Sequence, residues 1–502
     1  MQDRGIASVH LRPAVRYERN RSHQIRFLVT SMMLVAIGAC ADTRENGVLA
    51  PPAPPTTQLI QDNEVMATAL TVVFQDPSAD SVRAEYQSAD RSDTGTTPWF
   101  ASSSGALPVL GLRPSTTYLV TLQSRRGSEI TNGTTVSQTT SAMPAPLQGV
   151  SMTRVSGSLP SHGYTLTALI ASDGNGYAVA FDSTGTLRWY RGIGAHDVME
   201  TKQQKNGDFT IYVGSSRGFD PWPGAYVEVT ARGDSVRTVR ATGSPYTDPH
   251  ELIVTSDRFG NRIADYLFGY DIQSVDLSGA GGPSSADRAG HQVIRVAASG
   301  AVDTLVNGWA QWSQSDYTNV FSSQDIDHPN AITFDVDGEP VISFRDVDAI
   351  IKVDSVTHKV NWQLGGARNQ FRFVNDPLGG FSGQHSVRVL PNGHLLMLDN
   401  GTNHTPQTSR VVEYAVNSAA KTATLVWQYN PQPPLFNSFT GSAQRIANGN
   451  TGVGWTQSGY VDEVSPSADL VSRMQIWSAP ATPAVSIYRA IRINNLYAYA
   501  DP

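Results

Sequence analysis

His250 in Asp248-Pro249-His250-Glu251-Leu252, His328 in Asp327-His328-Pro329-Asn330-Ala331 and His385 in Gly383-Gln384-His385-Ser386-Val387 share a setting. Each opens a short apolar stretch that ends in a glycine-containing turn, at Gly260, Gly338 and Gly393. Imidazole is the side chain that can act near neutral pH as nucleophile, proton carrier or metal ligand. Three of them in register therefore point to one shared site. Asn330 stands two residues after His328, so on an extended chain both side chains face the same way. Arg345, in Ser343-Phe344-Arg345-Asp346, ends the next apolar stretch of the same unit. Three histidines with an open position form a respectable zinc set. An arginine converging on the same point repels a cation and attracts an anion, and no His-x-x-x-His or His-x-Asp pair fixes two ligands on one element. An anion site is the first reading and a metal site the second; unrelated, hydrogen-bonded histidines are the third. His196, His291, His358, His394 and His404 lack matching partners and are read as surface or structural, His404 being the least safe dismissal.

A repeated hairpin must position these groups. From about Gly163 onward it recurs as 178–189, 226–239, 293–305, 350–362, 411–427 and 461–477. Each unit is an alternating strand, a polar turn and a second strand, four of them ending on Trp189, Trp362, Trp427 and Trp477. Six such units without helical periodicity predict a six-bladed β-propeller over 146–502, with the tryptophans packed between blades. The segment before each hairpin supplies the inner strands, which line the channel and aim the three histidines at the axis. Insertions at 269–290 and 307–325 become loops on a face. The alternating segment 486–498 is expected to close the ring against the first blade.

The bulk properties narrow the class. Of 502 residues, 40% are apolar and 16% charged, with a net charge of −7; the chain is globular and no general nucleic-acid binder. Gly 43 and Pro 29 suit a turn-rich all-β chain. A single cysteine excludes an intramolecular disulfide and a cysteine metal cluster. It follows five arginines (Arg12, Arg16, Arg19, Arg21, Arg26) and an apolar run too short to span a bilayer. Ile37-Gly38-Ala39-Cys40 resembles a lipobox, so residues 1–39 are read as a lipoprotein export signal and Cys40 as the lipid anchor. Ala41 after it points to the outer membrane in species that use that sorting rule, on the periplasmic side of a bacterial envelope. Residues 40–57, with Pro51-Pro52-Ala53-Pro54-Pro55, read as a semi-rigid tether. Residues 58–143 read as a small β-sandwich, in which Leu110 to Tyr118 resembles the E–F corner of fibronectin type III modules.

The constellation as a whole resembles the bacterial arylsulfate sulfotransferases that need no nucleotide sulfate donor. The residues concerned are Asp248-Pro249-His250-Glu251, His328-Pro329-Asn330, Ser343-Phe344-Arg345, Lys352-Val353-Asp354 and Trp362-Gln363-Leu364-Gly365-Gly366. Gly383-Gln384-His385, Leu390-Pro391-Asn392-Gly393, Leu398-Asp399-Asn400-Gly401 and Ser409-Arg410-Val411-Val412-Glu413-Tyr414 continue it, over roughly 163–477. The resemblance implies a six-bladed propeller behind a β-sandwich. It also implies sulfuryl transfer from a phenolic sulfate ester to a phenol by a ping-pong route through sulfohistidine, with no cofactor or metal. His385 would then be the nucleophile, Arg345 and Asn330 donors to the sulfate, and His250 or His328 the proton carrier. Tyr246, Trp309, Trp312 and Phe381 could sandwich the aryl ring or simply pack. The cysteine pair of some periplasmic members has no counterpart here. Two other classes stay open: a non-catalytic envelope lipoprotein that binds a ligand or partner, and a metal-dependent hydrolase on the same fold.

Overall fold

A computed structural model describes residues 50–63, 65–194, 197–214, 224–318, 324–479, 482–483 and 487–497. Residues 1–39, read as an export signal, lie outside the described residues, as do Cys40 and His196. The fold is all-β, built of many antiparallel sheets with one short α-helix, Gly308–Gln311, among the described residues.

Two sheets make the N-terminal region. Thr56–Asn63, Met66–Gln75 and Ala106–Leu110 form one; Thr94–Thr96, Ser81–Ser88, Thr117–Arg126 and Glu129–Thr139 form the other. Alternate residues such as Leu70, Val72, Phe74, Val82, Val120 and Leu122 bury a shared core. The first strand takes in Thr56 and Thr57, so the tether stops earlier than its proline content suggests: Thr56 already has a partner in Gln75. The hydroxyl of Tyr118 accepts from the Arg113 backbone N–H at 2.9 Å, the bond across the turn that the sequence of this corner predicts.

Six further sheets follow in chain order. The first contains Tyr164–Ile170, Gly176–Asp182 and Leu187–Gly192; the second runs from Asp197–Gln203 to Ser235–Val239. The third comprises Tyr246–Ser256, Arg262–Val275, Ala286–Ala297 and Val302–Asn307. Pro329–Phe334, Pro340–Phe344, Ala349–Val353 and Val360–Gly365 form the fourth. His385–Val389, Leu395–Asp399, Arg410–Asn417 and Thr422–Tyr429 are the main strands of the fifth, and Ser442–Arg445 opens the sixth. In the first four sheets the sequence-predicted hairpin supplies the two strands farthest from the opening one; in the fifth and sixth a further strand lies outside it, Arg372–Val374 and Ser151–Gly157 respectively. The opening strands lie side by side from sheet to sheet, and Ala490–Ile493 pairs with Tyr164–Ile170 while also lying against Ser442–Arg445. The C-terminal segment thus docks on the first sheet, as its alternation predicts.

Large apolar side chains fill the seams. Trp189 of the first sheet stacks on Phe209 of the second with ring centroids 4.4 Å apart, and both are fully buried. The insertion 269–290 is largely a two-stranded extension of the third sheet, Arg262–Val275 against Ala286–Ala297, rather than an irregular loop.

Candidate active site

The opening strands carry the three matched histidines to one place. His250 lies within Tyr246–Ser256, at an irregularity that suspends regular pairing between Thr247 and Leu252. His328 immediately precedes Pro329–Phe334, and His385 begins His385–Val389. The rings of His250 and His328 stand edge to face at 4.5 Å, and those of His328 and His385 at 6.5 Å. Local backbone is held in the left-handed region at three neighbouring positions: His328 (φ +50°), Ser386 (φ +57°) and Thr440 (φ +61°). A non-glycine residue there costs on the order of 1–3 kcal/mol, and such strain collects where function fixes geometry.

His385 is buried and its tautomer is set. Its Nδ1 faces two acceptors, Asn400 Oδ1 at 2.8 Å and the Gly383 carbonyl at 3.0 Å, so the proton sits on Nδ1. Its Nε2 accepts from the Thr440 backbone N–H at 3.2 Å, so the lone pair is on that side. Burial, the Arg345 guanidinium and His328 hold this imidazole well below the usual histidine range. It is a neutral base.

Arg345 follows Pro340–Phe344 and donates from Nη1 to Asp346 Oδ1 at 2.8 Å; its Nε is buried without a partner. A buried, unspent guanidinium N–H is ready for an anion. Asn330 donates one N–H to the Gln384 carbonyl at 2.8 Å, which ties it to the backbone just before His385. Its Oδ1 has no partner. One amide N–H is therefore left for a substrate.

Asp325, His328 and Asp346 bring one ligand atom each within 4.8 Å of one another, the group among the described residues that comes nearest to a metal set. Each carboxylate already has a partner, Asp325 the His328 ring and Asp346 the Arg345 guanidinium. A cation brought among them meets the arginine's charge.

A buried ion network joins Glu200 and Lys202 of Asp197–Gln203 to Glu251 and Arg388, which share strands with His250 and His385, and to Arg489 just before Ala490–Ile493. Burial outweighs the neighbouring carboxylates and pushes the Lys202 ammonium down to about 7. Arg489 Nη2 donates to the Asn330 carbonyl at 2.5 Å, and the Tyr488 hydroxyl donates to the same oxygen at 3.2 Å. Tyr488 also packs against His250, with centroids 5.3 Å apart.

Several residues escape sequence reasoning. Asn400 and Thr440 sit in turns, where no periodicity marks them, although Asn400 lies inside a quoted motif. His291 is buried and its Nε2 lies 3.2 Å from Asp248 Oδ2, which makes it part of the site rather than an isolated structural group. His358, His394 and His404 pair with Asp303, Glu413 and Asp399, structural roles in keeping with their dismissal. Trp312 and Phe381 are core residues against Phe344 and Phe373, so they do not sandwich a substrate ring. Tyr246 stacks on Tyr270 at 5.0 Å, and Trp309 donates to Asp271 at 2.5 Å.

Residues 287–476 match the family model described as Arylsulfotransferase (ASST), a stretch that contains His291, His328, Asn330, Arg345, His385, Asn400 and Thr440 but not His250. No curated protein matches the chain. Among solved structures, a protein of unknown function from Bacteroides caccae is similar at 11% identity, over 66% of this chain and 100% of that one, with a TM-score of 0.40. Catalytically inactive virginiamycin B lyase from Staphylococcus aureus, solved with quinupristin, is similar at 8% identity over 64% and 87%, with a TM-score of 0.35. The fn3 domain of the human collagen alpha-1(XX) chain is similar at 24% identity over 24% and 100%, with a TM-score of 0.16.

Proposed function

We propose, on the match of residues 287–476 to the Arylsulfotransferase (ASST) family model, that the chain moves a sulfuryl group from a phenolic sulfate ester to a phenol through a sulfohistidine at His385. The observation that carries this reading is the fixed, neutral tautomer of His385, its lone pair on Nε2, in a ring that feels the charge of the Arg345 guanidinium, whose Nε is unspent. A sulfate monoester presents sulfur behind three oxygens that share one negative charge. A neutral imidazole approaches it without the repulsion a carboxylate meets. As the N–S bond forms and the S–O bond to the leaving phenolate breaks, Arg345 and the free N–H of Asn330 receive the equatorial oxygens. The Thr440 amide, which makes only a 3.2 Å bond to Nε2, passes its N–H from the ring to a sulfuryl oxygen as the group docks.

In the second half-reaction the phenol O–H proton goes to a histidine while its oxygen displaces His385 from sulfur. The same proton serves the next departing phenolate, so each cycle closes without metal or nucleotide. The scaffold for this is a six-bladed β-propeller, supported by six sheets of four or more strands whose opening strands adjoin and by the pairing of Ala490–Ile493 with Tyr164–Ile170. A fibronectin type III-like sandwich precedes it, supported by the Tyr118 corner. Cys40, in its lipobox, anchors the protein by lipid to the envelope, on the periplasmic side of the outer membrane.

The direct test incubates chelator-treated protein with 4-nitrophenyl sulfate, with and without added phenol. Nitrophenol release that is slow alone and accelerated by phenol is expected. No release across a panel of aryl sulfates would remove the enzyme reading and leave the ligand-binding lipoprotein.

A further inference from the structure

Gln384 stands one residue before His385 and is fully buried. Its side chain crosses from the fifth sheet to the fourth. There Nε2 donates to the Phe344 carbonyl at 3.0 Å and the Ala349 carbonyl at 3.2 Å, with Ser343 Oγ at 3.1 Å. Two carbonyls can be met only by an amide NH2, which fixes how the group is turned. Phe344 and Ala349 are the two ends of the turn that carries Arg345, one closing Pro340–Phe344 and the other opening Ala349–Val353. Between them the Asp348 N–H donates to the Arg345 carbonyl at 3.1 Å. One amide thus staples both ends of the arginine's turn to the segment that leads into His385.

A second bond runs the opposite way. Asp348, in the arginine's turn, accepts from the Gly383 backbone N–H through Oδ1 at 2.6 Å and from Asn403 Nδ2 through Oδ2 at 2.9 Å. Asp348 is buried, and both clasped positions lie in the left-handed region, Asp348 at φ +48° and Gly383 at φ +60°. Glycine is also needed at 383 for space, since a Cβ there would fall 2.7 Å from Thr402 Oγ1. Asp348 has no such freedom, and its conformation costs on the order of 1–3 kcal/mol. The Oε1 of Gln384 is buried without a partner. For stability alone an apolar side chain would serve better at 384.

The two clasped residues are tied in turn to the site. The Gly383 carbonyl accepts from His385 Nδ1 at 3.0 Å, and the Gln384 carbonyl accepts from Asn330 Nδ2 at 2.8 Å. His385, Asn330 and the turn of Arg345 therefore all join at two adjacent residues of one loop.

We propose that Gln384 and Asp348 are positioning residues that lock the Arg345 turn to the His385 loop and so set the spacing between the attacking nitrogen and the guanidinium that receives the sulfuryl oxygens. This rests on the sulfuryl-transfer reading and adds the device that holds its geometry across the seam of two sheets. Transfer needs sulfur held in line with Nε2, and a misplacement of about 1 Å costs on the order of 100-fold in rate. Binding of the donor needs chiefly the guanidinium's charge, which a loosened turn still offers. Loss of the clasp therefore falls on rate rather than on affinity.

The test follows the nitrophenol burst from 4-nitrophenyl sulfate by stopped flow, with the full chain and across donor concentrations. Gln384→Met keeps the volume and removes the donors. Its burst rate constant at saturation should fall about tenfold or more, with the half-saturating concentration within about threefold of wild type and the amplitude unchanged. A variant that only holds fewer folded molecules loses amplitude and keeps its rate constant, and that result overturns the proposal. A rate constant within about twofold of wild type does the same. So does a rise in half-saturating concentration alone, which would assign Gln384 to binding. If Gln384→Met does not melt cooperatively, Asp348 decides. Asp348→Ala should show the same loss of rate, and Asp348→Asn, which keeps an oxygen for the Gly383 N–H, should recover most of it. Equal loss in those two variants overturns the clasp. Wild-type protein without any donor burst would instead sink the sulfuryl-transfer reading, a separable outcome.

Discussion

Asn400→Ala probes the nucleophile without touching it. In the proposed reaction, attack on sulfur turns His385 from a neutral ring into one bearing positive charge, so the Nδ1–H to Asn400 Oδ1 bond at 2.8 Å becomes charge-assisted along the way. A hydrogen bond to a charged group is worth about 1.5–3 kcal/mol. At 1.36 kcal/mol per decade, removing it slows sulfurylation by about 10- to 150-fold. The Gly383 carbonyl, at 3.0 Å from the same nitrogen, takes over part of the role, which puts the expected loss toward the lower end. The variant should fold. Asn400 Nδ2 donates to the carbonyls of Asn437 and Thr440, but Ser409 Oγ and Asn437 Nδ2 also donate to them, so neither oxygen is orphaned. The assay is the stopped-flow burst of nitrophenol from 4-nitrophenyl sulfate, alongside a thermal melt. A burst within about twofold of wild type, with the melt unchanged, refutes the argument that His385 carries the developing charge.

Other consequences are checkable. His385→Asn should abolish a sulfuryl mass adduct on the peptide that contains Gln384; an adduct that persists moves the nucleophile elsewhere. Because burial and Arg345 hold His385 below the usual range, its reactive neutral form persists as pH falls through ordinary imidazole values. The donor burst should therefore decline only at lower pH, and a limb near 6.5 would contradict this. Arg410 is buried with Nε on Asp399 and both Nη atoms on Asp376, so Arg410→Met removes the cation these carboxylates share, leaves Asp399 only the His404 ring, and should cost about 3–5 kcal/mol in a denaturant melt. Cys40→Ser should release the protein from membranes on fractionation, and unchanged fractionation would argue against lipidation there.

The sheets were legible because their signal is local. Alternation such as Ala178 to Phe181 and a polar turn at Ser183-Thr184-Gly185 specify a hairpin whatever surrounds them. The matched histidines were legible for a related reason, since a repeat shows equivalent positions before it shows contacts. What stayed hidden depends on packing between distant segments. His291 looks like a lone histidine in a strand until the third sheet sets it beside Asp248 and the turn before the fourth brings Asp327 to its other nitrogen. For Trp312 and Phe381 the sequence left ring stacking and packing both open, and burial decides for packing.

The strand Ala490–Ile493 has a consequence for how the molecule is made. Thr167 on the edge of the first sheet hydrogen-bonds to the carbonyl of Arg489, 322 residues later in the chain. During synthesis that edge waits, unpaired and prone to pair wrongly, until residues 490–493 have been delivered. Tyr488 and Arg489, which brace Asn330, arrive immediately before the strand that covers the edge. Pairing of that edge and bracing of Asn330 are therefore one event, which follows the delivery of residues 488–493.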